Sequence, residues 1–138
     1  MISNVRRLRG NLPVVSVGDF NTQKFDSIAR TMLPAMKNAG VGDVLNQQYR
    51  VNPSVDVRAQ VRVNGWVNSN NRQNRDVRGY SYPGDHNKTG NSIDYIFASN
   101  SMVVKEFKMV IAFDPSSLQV TGTIPSDHNM LGSTVVLN

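Results

Sequence analysis

The sequence predicts an α+β fold, layered, with a mixed, mostly antiparallel sheet and one or two helices. Three observations predict it: a Val-rich run ended by Gly18, a helical stripe within residues 23–39, and a period-two alternation over residues 55–67. Short apolar runs bounded by turn residues suit buried strands, apolar residues at three- and four-residue steps suit an amphipathic helix, and strict alternation suits a half-wet strand.

In chain order, the first strand is expected over Leu12 to Val17, buried, with Asp19-Phe20-Asn21-Thr22 at its C-terminal end. In layered α/β folds that edge is where ligands bind. The helix places Phe25, Ile28, Ala29, Met32, Leu33 and Met36 on one core-facing stripe. Asn21 or Thr22 suits its cap and Gly40 its stop, while Pro34 is expected to kink or shorten it. Asp43-Val44-Leu45 begins a short segment leading to a loop at Asn52-Pro53. Val55, Val57, Ala59, Val61 and Val63 then alternate with Asp56, Arg58, Gln60 and Arg62, the pattern of a strand with one buried and one wet face. Residues 68–91 are rich in Asn, Arg, Gly and Ser and read as a long loop, of a length that is often functional. Strands follow at Ile93 to Ala98 and Met102 to Phe113, then a turn-rich connection from Asp114 to Pro125 and a closing strand from Met130 to Leu137. No repeat or boundary divides the chain, so residues 1–138 read as a single domain.

Composition bounds the reading. The chain has 138 residues, enough for one modest core, and 39% hydrophobic against 18% charged residues excludes a disordered chain. A net charge of +5 favours phosphate-rich partners, although solubility alone also accounts for a mildly basic domain. The absence of cysteine excludes disulfides and thiolate metal sites. No apolar run is long enough to span a membrane. The basic residues before the first apolar stretch resemble a signal peptide, but Pro13, the polar residues that follow and the shortness of the apolar run favour a strand.

Three motifs carry chemistry. In Gly18-Asp19-Phe20-Asn21, a carboxylate and a carboxamide two residues apart on extended chain point to one side, so one can take a proton from water while the other donates to a phosphate oxygen. An Asx turn capping the next helix is the plainer alternative. In Ser92-Ile93-Asp94-Tyr95-Ile96-Phe97 a single acid sits within an apolar strand, and an unpaired buried carboxylate is costly, so Asp94 calls for a partner such as imidazole. In Ser126-Asp127-His128-Asn129 the adjacent acid and imidazole suit a metal ligand and a phosphate contact or base. A solvent-facing edge-strand acid and a polar turn are the alternatives for these two.

The three motifs in this order, each at a strand boundary and together spanning residues 18–129, resemble the C-terminal half of the endonuclease/exonuclease/phosphatase superfamily, the group of deoxyribonuclease I. The resemblance implies one half of a layered α/β sandwich of the deoxyribonuclease I type. It implies divalent-metal-dependent phosphoesterase chemistry, nuclease-like hydrolysis foremost. Asp19 then orients and deprotonates water, and Asn21 binds the scissile phosphate. Asp94 fixes the tautomer of the catalytic His128, and Asp127 with Asp19 serves the metal. Oxygen ligands suit Mg²⁺ or Mn²⁺ better than zinc. The alternative is a non-catalytic nucleic-acid-binding or interaction module derived from such an enzyme.

The resemblance also implies an N-terminal half supplying an Asn, a metal-binding Glu and a further His or Tyr. Only about a dozen residues precede the strand that carries the first motif, and the single glutamate, Glu106, lies near Lys105 and Lys108 on a late strand. The sequence therefore reads as part of a larger enzyme or one half of a split one, with an apolar sheet face that a second chain or the missing half would cover.

Residues 50–91 hold most of the excess charge, with Arg50, Arg58, Arg62, Arg72, Arg75, Arg78 and Lys88 against Asp56, Asp76 and Asp85. Trp66, Tyr80 and Tyr82 are interleaved, a combination that suits nucleic acid, and Arg78 is singled out as a substrate contact. A solvated basic loop is the alternative. His86, in Gly84-Asp85-His86-Asn87, reads as a solvent-facing loop histidine rather than a second metal site.

Overall fold

The computed structural model describes residue 7 and residues 10–21, 27–45, 58–79 and 93–137. Its elements run β1 (Val15–Asp19), α1 (Ser27–Asn38), β2 (Val41–Asp43), β3 (Val61–Val63), a 3-10 turn at Val77–Gly79, β4 (Asp94–Ser99), β5 (Met102–Val110) and β6 (Met130–Leu137). The strands form two three-stranded sheets, ordered β1-β4-β2 and β3-β5-β6. Every pairing is antiparallel except that of β3 with β5, so the expected mixed pairing is divided over two sheets.

The apolar run of β4 explains the layering. A strand with both faces covered reads as continuously apolar, because alternate side chains enter different layers. Tyr95 and Phe97 point to one side and pack with Met36, Ala39 and Val41, the α1 layer. Phe20 closes that layer with its ring edge-on to both Tyr95 and Phe97. Ile96 and Ala98 point to the other side and join Val104, Phe107 and Met109 of β5 in the core between the sheets. Asp94 shares the parity of Ile96 and Ala98, so it faces the second sheet, where β4 meets β6.

α1 runs through Pro34 rather than stopping there, at the loss of the one hydrogen bond that proline cannot donate. It ends as expected at Gly40, whose φ of 76° is left-handed and whose N–H donates to Lys37 O at 2.9 Å. Phe25 and Thr22 lie outside the described residues.

Two strand expectations are corrected. β1 is not buried: Val15 is 45% and Val17 66% exposed. β1 is an edge strand, and Val15 and Val17, opposite Ala98 and Ile96, face the second sheet but lie beyond its cover among the described residues. The alternating stretch before Trp66 is not one half-buried strand either. Among the described residues of the stretch, only Val61–Val63 forms a strand, all three exposed, and Asn64 turns the chain with a left-handed φ of 53°. Val55 and Val57 lie outside the described residues. Trp66 packs edge-on to Phe113 against the core, not on a nucleic-acid-stacking surface.

Arg58 turns inward at the far end of β4. Its guanidinium donates to the carbonyls of Gly42 (2.8 Å), Ala98 (2.7 Å), Ser99 (2.9 Å) and Met102 (3.2 Å), tying β2, β4 and the β4–β5 turn together. Burial lowers its pKa and the charge of Asp43 raises it in part. The planar five-donor fork is what lets one side chain serve several carbonyls, and an ammonium cannot do the same. Arg58→Ala is expected to lower the unfolding free energy by about 3 kcal/mol, and Arg58→Lys to restore only part of it. Urea denaturation followed by circular dichroism measures both; an Arg58→Ala protein as stable as wild type would refute the clamp.

Candidate functional site

The register of β1 on β4 sets Asp19 directly opposite Asp94. Directly paired residues share a face with their Cβ atoms about 5 Å apart, and like charges in that position repel. A positive group is therefore needed on that face. His128 supplies it from the turn before β6: its Nδ1 lies 2.8 Å from Asp94 Oδ2. Asp19, Asp94 and His128 each offer a ligand atom within 4.8 Å of the others. The Asp94 and His128 side chains are 17% and 27% exposed, whereas Asp19 is exposed.

His128 is delivered by local structure that the sequence reading assigned to a generic polar loop. Its N–H donates to Ser126 Oγ at 3.1 Å, and His128 forms an isolated β-bridge with Asn70. Asn71 N–H donates to Asp127 O at 2.7 Å, and Asn129 N–H to Ser69 O at 2.6 Å. The Asn71 carboxamide donates to Ser126 O (3.0 Å) and Asn129 Oδ1 (2.8 Å), while Asn129 Nδ2 donates to Asn68 O (2.9 Å). Asn68, Ser69, Asn71 and Asn129 are all buried. The polar run Asn68-Ser69-Asn70-Asn71 after Val67 carries no signal that separates it from a solvated loop; only the structure shows these amides buried and partnered.

Electrostatics bind the group further. Burial alone would lower the His128 pKa, but the hydrogen bond to Asp94 and the charges of Asp94, Asp19 and Asp127 together raise it above the ordinary histidine value. With Asp94 accepting from Nδ1–H, Nε2 is the ring atom left for chemistry.

The other expected site residues are placed as follows. Asn21 lies past the end of β1 with a left-handed φ of 49°, so the extended-chain argument for its sharing a side with Asp19 does not hold. Its N–H donates to Asp19 Oδ1 at 2.7 Å, an Asx turn. Asp127 is exposed and its charge reaches His128, but its carboxylate is not within the three-residue group. Arg78 forks onto Asp76, with Nε–Oδ1 at 3.0 Å, and is not among the charges acting on His128. Arg75 donates to Val120 O and Gly122 O, a structural contact like those of Arg58. Arg50, Tyr80, Tyr82, His86 and Lys88 lie outside the described residues.

The residues present fit a hard divalent cation. Asp94 Oδ2 and His128 Nδ1 are committed to each other, which leaves the second Asp94 oxygen and the Asp19 carboxylate to a cation, with His128 Nε2 beside them as a donor. Such an oxygen-dominated, open set suits Mg²⁺ or Mn²⁺, which take one or two carboxylates and keep water or phosphate in the remaining positions. A closed structural zinc site would require four protein ligands, mostly nitrogen or sulfur.

A family model described as Endonuclease/Exonuclease/phosphatase family matches residues 2–128. No curated protein matches the chain in sequence. Among solved structures, the chain is similar to mannosyl-6-phosphatase Bt3783 of Bacteroides thetaiotaomicron VPI-5482, at 22% identity and a TM-score of 0.60, over 98% of this chain and 42% of that one. It is similar to an endonuclease/exonuclease/phosphatase family protein of Bacteroides thetaiotaomicron, at 18% identity and a TM-score of 0.63, over 99% of this chain and 42% of that one. It is also similar to the endonuclease/exonuclease/phosphatase of Bacteroides vulgatus, at 20% identity and a TM-score of 0.61, over 99% of this chain and 41% of that one. At these identities the likeness is one of fold, and the chain spans about two fifths of the length of the structures it matches.

The electrostatics give a pH prediction. In an NMR titration the His128 ring is expected to titrate above the ordinary histidine value, and Asp94→Asn to bring it down, because the burial that lowers it remains while the carboxylate that raises it is gone. A raised folded-state pKa contributes stability that is full below the unfolded-state histidine pKa and is lost as pH rises through the folded-state pKa. Across that window wild type should lose stability with rising pH, and Asp94→Asn should lose less. A His128 ring titrating at or below the ordinary value contradicts the pairing.

Proposed function

Because the chain belongs to the endonuclease/exonuclease/phosphatase family, we propose that it carries the acid–histidine half of a divalent-metal-dependent phosphoesterase site and hydrolyses phosphodiesters in the manner of a nuclease. Enzymes of this family act on phosphoesters and are generally divalent-metal dependent. The observation that carries the reading is the convergence of Asp19, Asp94 and His128, from three separate segments, to within 4.8 Å of one another.

The roles of Asp19, Asp94 and His128 draw support from their placement, and those of Asn21 and Asp127 rest on the family motif alone. Asp19 is exposed at the end of β1, with one oxygen engaged by the Asn21 amide and the other able to take a proton from water. As that water attacks phosphorus, the ester P–O bond breaks opposite it. His128 presents Nε2 to a phosphate oxygen, and its raised pKa keeps a proton there to higher pH than in a free histidine. Asp94 holds the ring in one orientation and stabilises its charge. The Asn21 carboxamide serves as a phosphate donor. Asp19 and Asp94 would hold Mg²⁺ or Mn²⁺, with Asp127, whose carboxylate lies outside their group, as a further ligand by family resemblance; when bound the ion neutralises phosphate charge and stabilises the leaving oxygen.

Nucleic acid is the proposed substrate class on the strength of the net charge of +5. Arg58, Arg75 and Arg78 lend that choice no support, since all three are spent on carbonyls or on Asp76. The reading includes a second polypeptide segment over the outer part of the inter-sheet face. Two observations support it: the exposure of Val15 and Val17, and a cleft of about 700 Å³ lined by Val17, Ile96, Val110 and Leu131 that reaches Asp94 and His128. Such a segment is also a source for a carboxylate ligand, since Glu106 sits 3.6 Å from Lys108 on β5.

The test is hydrolysis of plasmid DNA and of an aryl phosphodiester with Mg²⁺ or Mn²⁺. Asp19→Ala and His128→Ala are each expected to reduce the rate by about 100-fold or more with far-ultraviolet circular dichroism unchanged. Hydrolysis that persists in EDTA, or that survives both substitutions, would overturn the proposal. So would the absence of turnover both by the chain alone and by the chain joined to the covering segment.

A further inference from the structure

We infer that Ser69 is a positioning residue for the Asp94–His128 pair, holding the acid through its hydroxyl and the histidine's segment through its carbonyl. Its Oγ accepts from the N–H of Ile93 at 3.1 Å and from the N–H of Asp94 itself at 3.2 Å. Its carbonyl accepts from the N–H of Asn129, the residue after His128, at 2.6 Å. Ser69 is fully buried, so its own oxygens are shielded from water.

The need for such a residue follows from topology. Asp94 and His128 are 34 positions apart, one on β4 of the first sheet and the other in the turn before β6 of the second. A hydrogen bond of 2.8 Å tolerates only a few tenths of an ångström of misplacement before it weakens. The start of β4 lies where the sheet has just begun, so its position there depends on contacts from outside the sheet. Ser69 supplies them from the same residue that pairs with the histidine's segment. A movement of one partner is thereby carried to the other.

Serine is also the side chain that fits. A hydroxyl oxygen has two lone pairs and can serve two N–H donors, and the residue is small enough for a fully buried site. Alanine would leave two half-buried N–H groups without this acceptor. The loop would not come loose with it, because Asn71 binds Ser126 O and Asn129 Oδ1 independently of the Ser69 hydroxyl. The loss would therefore fall on the first residues of β4, and on Asp94 above all.

The test reads the pair directly by ¹⁵N NMR of the His128 ring in its neutral form, without metal or substrate. Wild type should show one tautomer, protonated on Nδ1, with a persistent downfield proton. Ser69→Ala should lose that proton signal and show mixed tautomers, and the amides of Ile93 and Asp94 should exchange at least 10-fold faster while those of β5 stay protected. Ser69→Cys keeps the shape with a weaker acceptor and should fall between the two, so it decides the matter where Ser69→Ala does not fold. An unchanged single tautomer in either folded variant overturns the inference. Its bearing on catalysis rests on the hydrolytic reading above: there Ser69→Ala should lower kcat by about 10- to 100-fold with KM little changed. The tautomer change without hydrolysis, both by the chain alone and by the chain joined to the covering segment, would sink the hydrolytic reading and leave this inference standing.

Discussion

Two carboxylates on the same face of neighbouring strands are the constraint from which the rest of the site follows. The β1–β4 register sets Asp19 against Asp94, and neither can turn away without a shift that would send every apolar side chain of β4 into the wrong layer. The repulsion has to be met by a positive group on that face. His128 meets part of it, and its raised pKa is the reciprocal sign of the same interaction. The exposed Asp19 side leaves room for a divalent cation to meet the remainder.

β4 is held at both ends by polar groups of opposite character, one buried and one half-buried. At its start, backbone N–H groups are met by an acceptor, the Ser69 hydroxyl. At its end, the carbonyls of Ala98 and Ser99 are met by a donor, the Arg58 guanidinium. Between them the apolar side chains alternate into two layers, which fixes the strand's rotation but resists sliding along its axis less well. Apolar burial is non-directional, whereas hydrogen bonds have lengths and angles. The polar ends therefore supply the axial precision that an acid at the first position of the strand requires.

This division explains how much was legible in the sequence. Asp94 was readable as a partnered acid because it interrupts an apolar run, and the layering of β4 follows from parity. Gly40 as a helix stop needed only local backbone chemistry. The burial of β1 was not readable, since a Val-rich run records what a strand is suited to, not whether anything covers it. The alternation over residues 55–67 misled for a related reason: period two is compatible with a turn at Asn64 that the pattern does not register. Buried Asn68, Ser69 and Asn71 look in sequence like any solvated loop, because partners that distinguish the two cases come from residues 126–129. Arg58 and Arg75 posed the same difficulty, as a guanidinium on backbone carbonyls has the same letter as one on phosphate.

The site is consequently uneven in what holds it. The Asp94–His128 side rests on buried contacts made wholly within this chain: the Ser69 and Asn129 bonds, the Asn71 carboxamide and the inter-sheet core. The Asp19 side rests on an edge strand whose valines look into a partly open cleft. An edge strand with exposed apolar residues is the kind of surface that another polypeptide covers. A segment seated there would tighten β1, and with it Asp19, while leaving the acid–histidine pair as it stands. In a chain spanning about two fifths of its structural neighbours, the pair that orients and charges the histidine is thus self-contained. The carboxylate proposed to meet water is the one whose precision depends on what lies against β1.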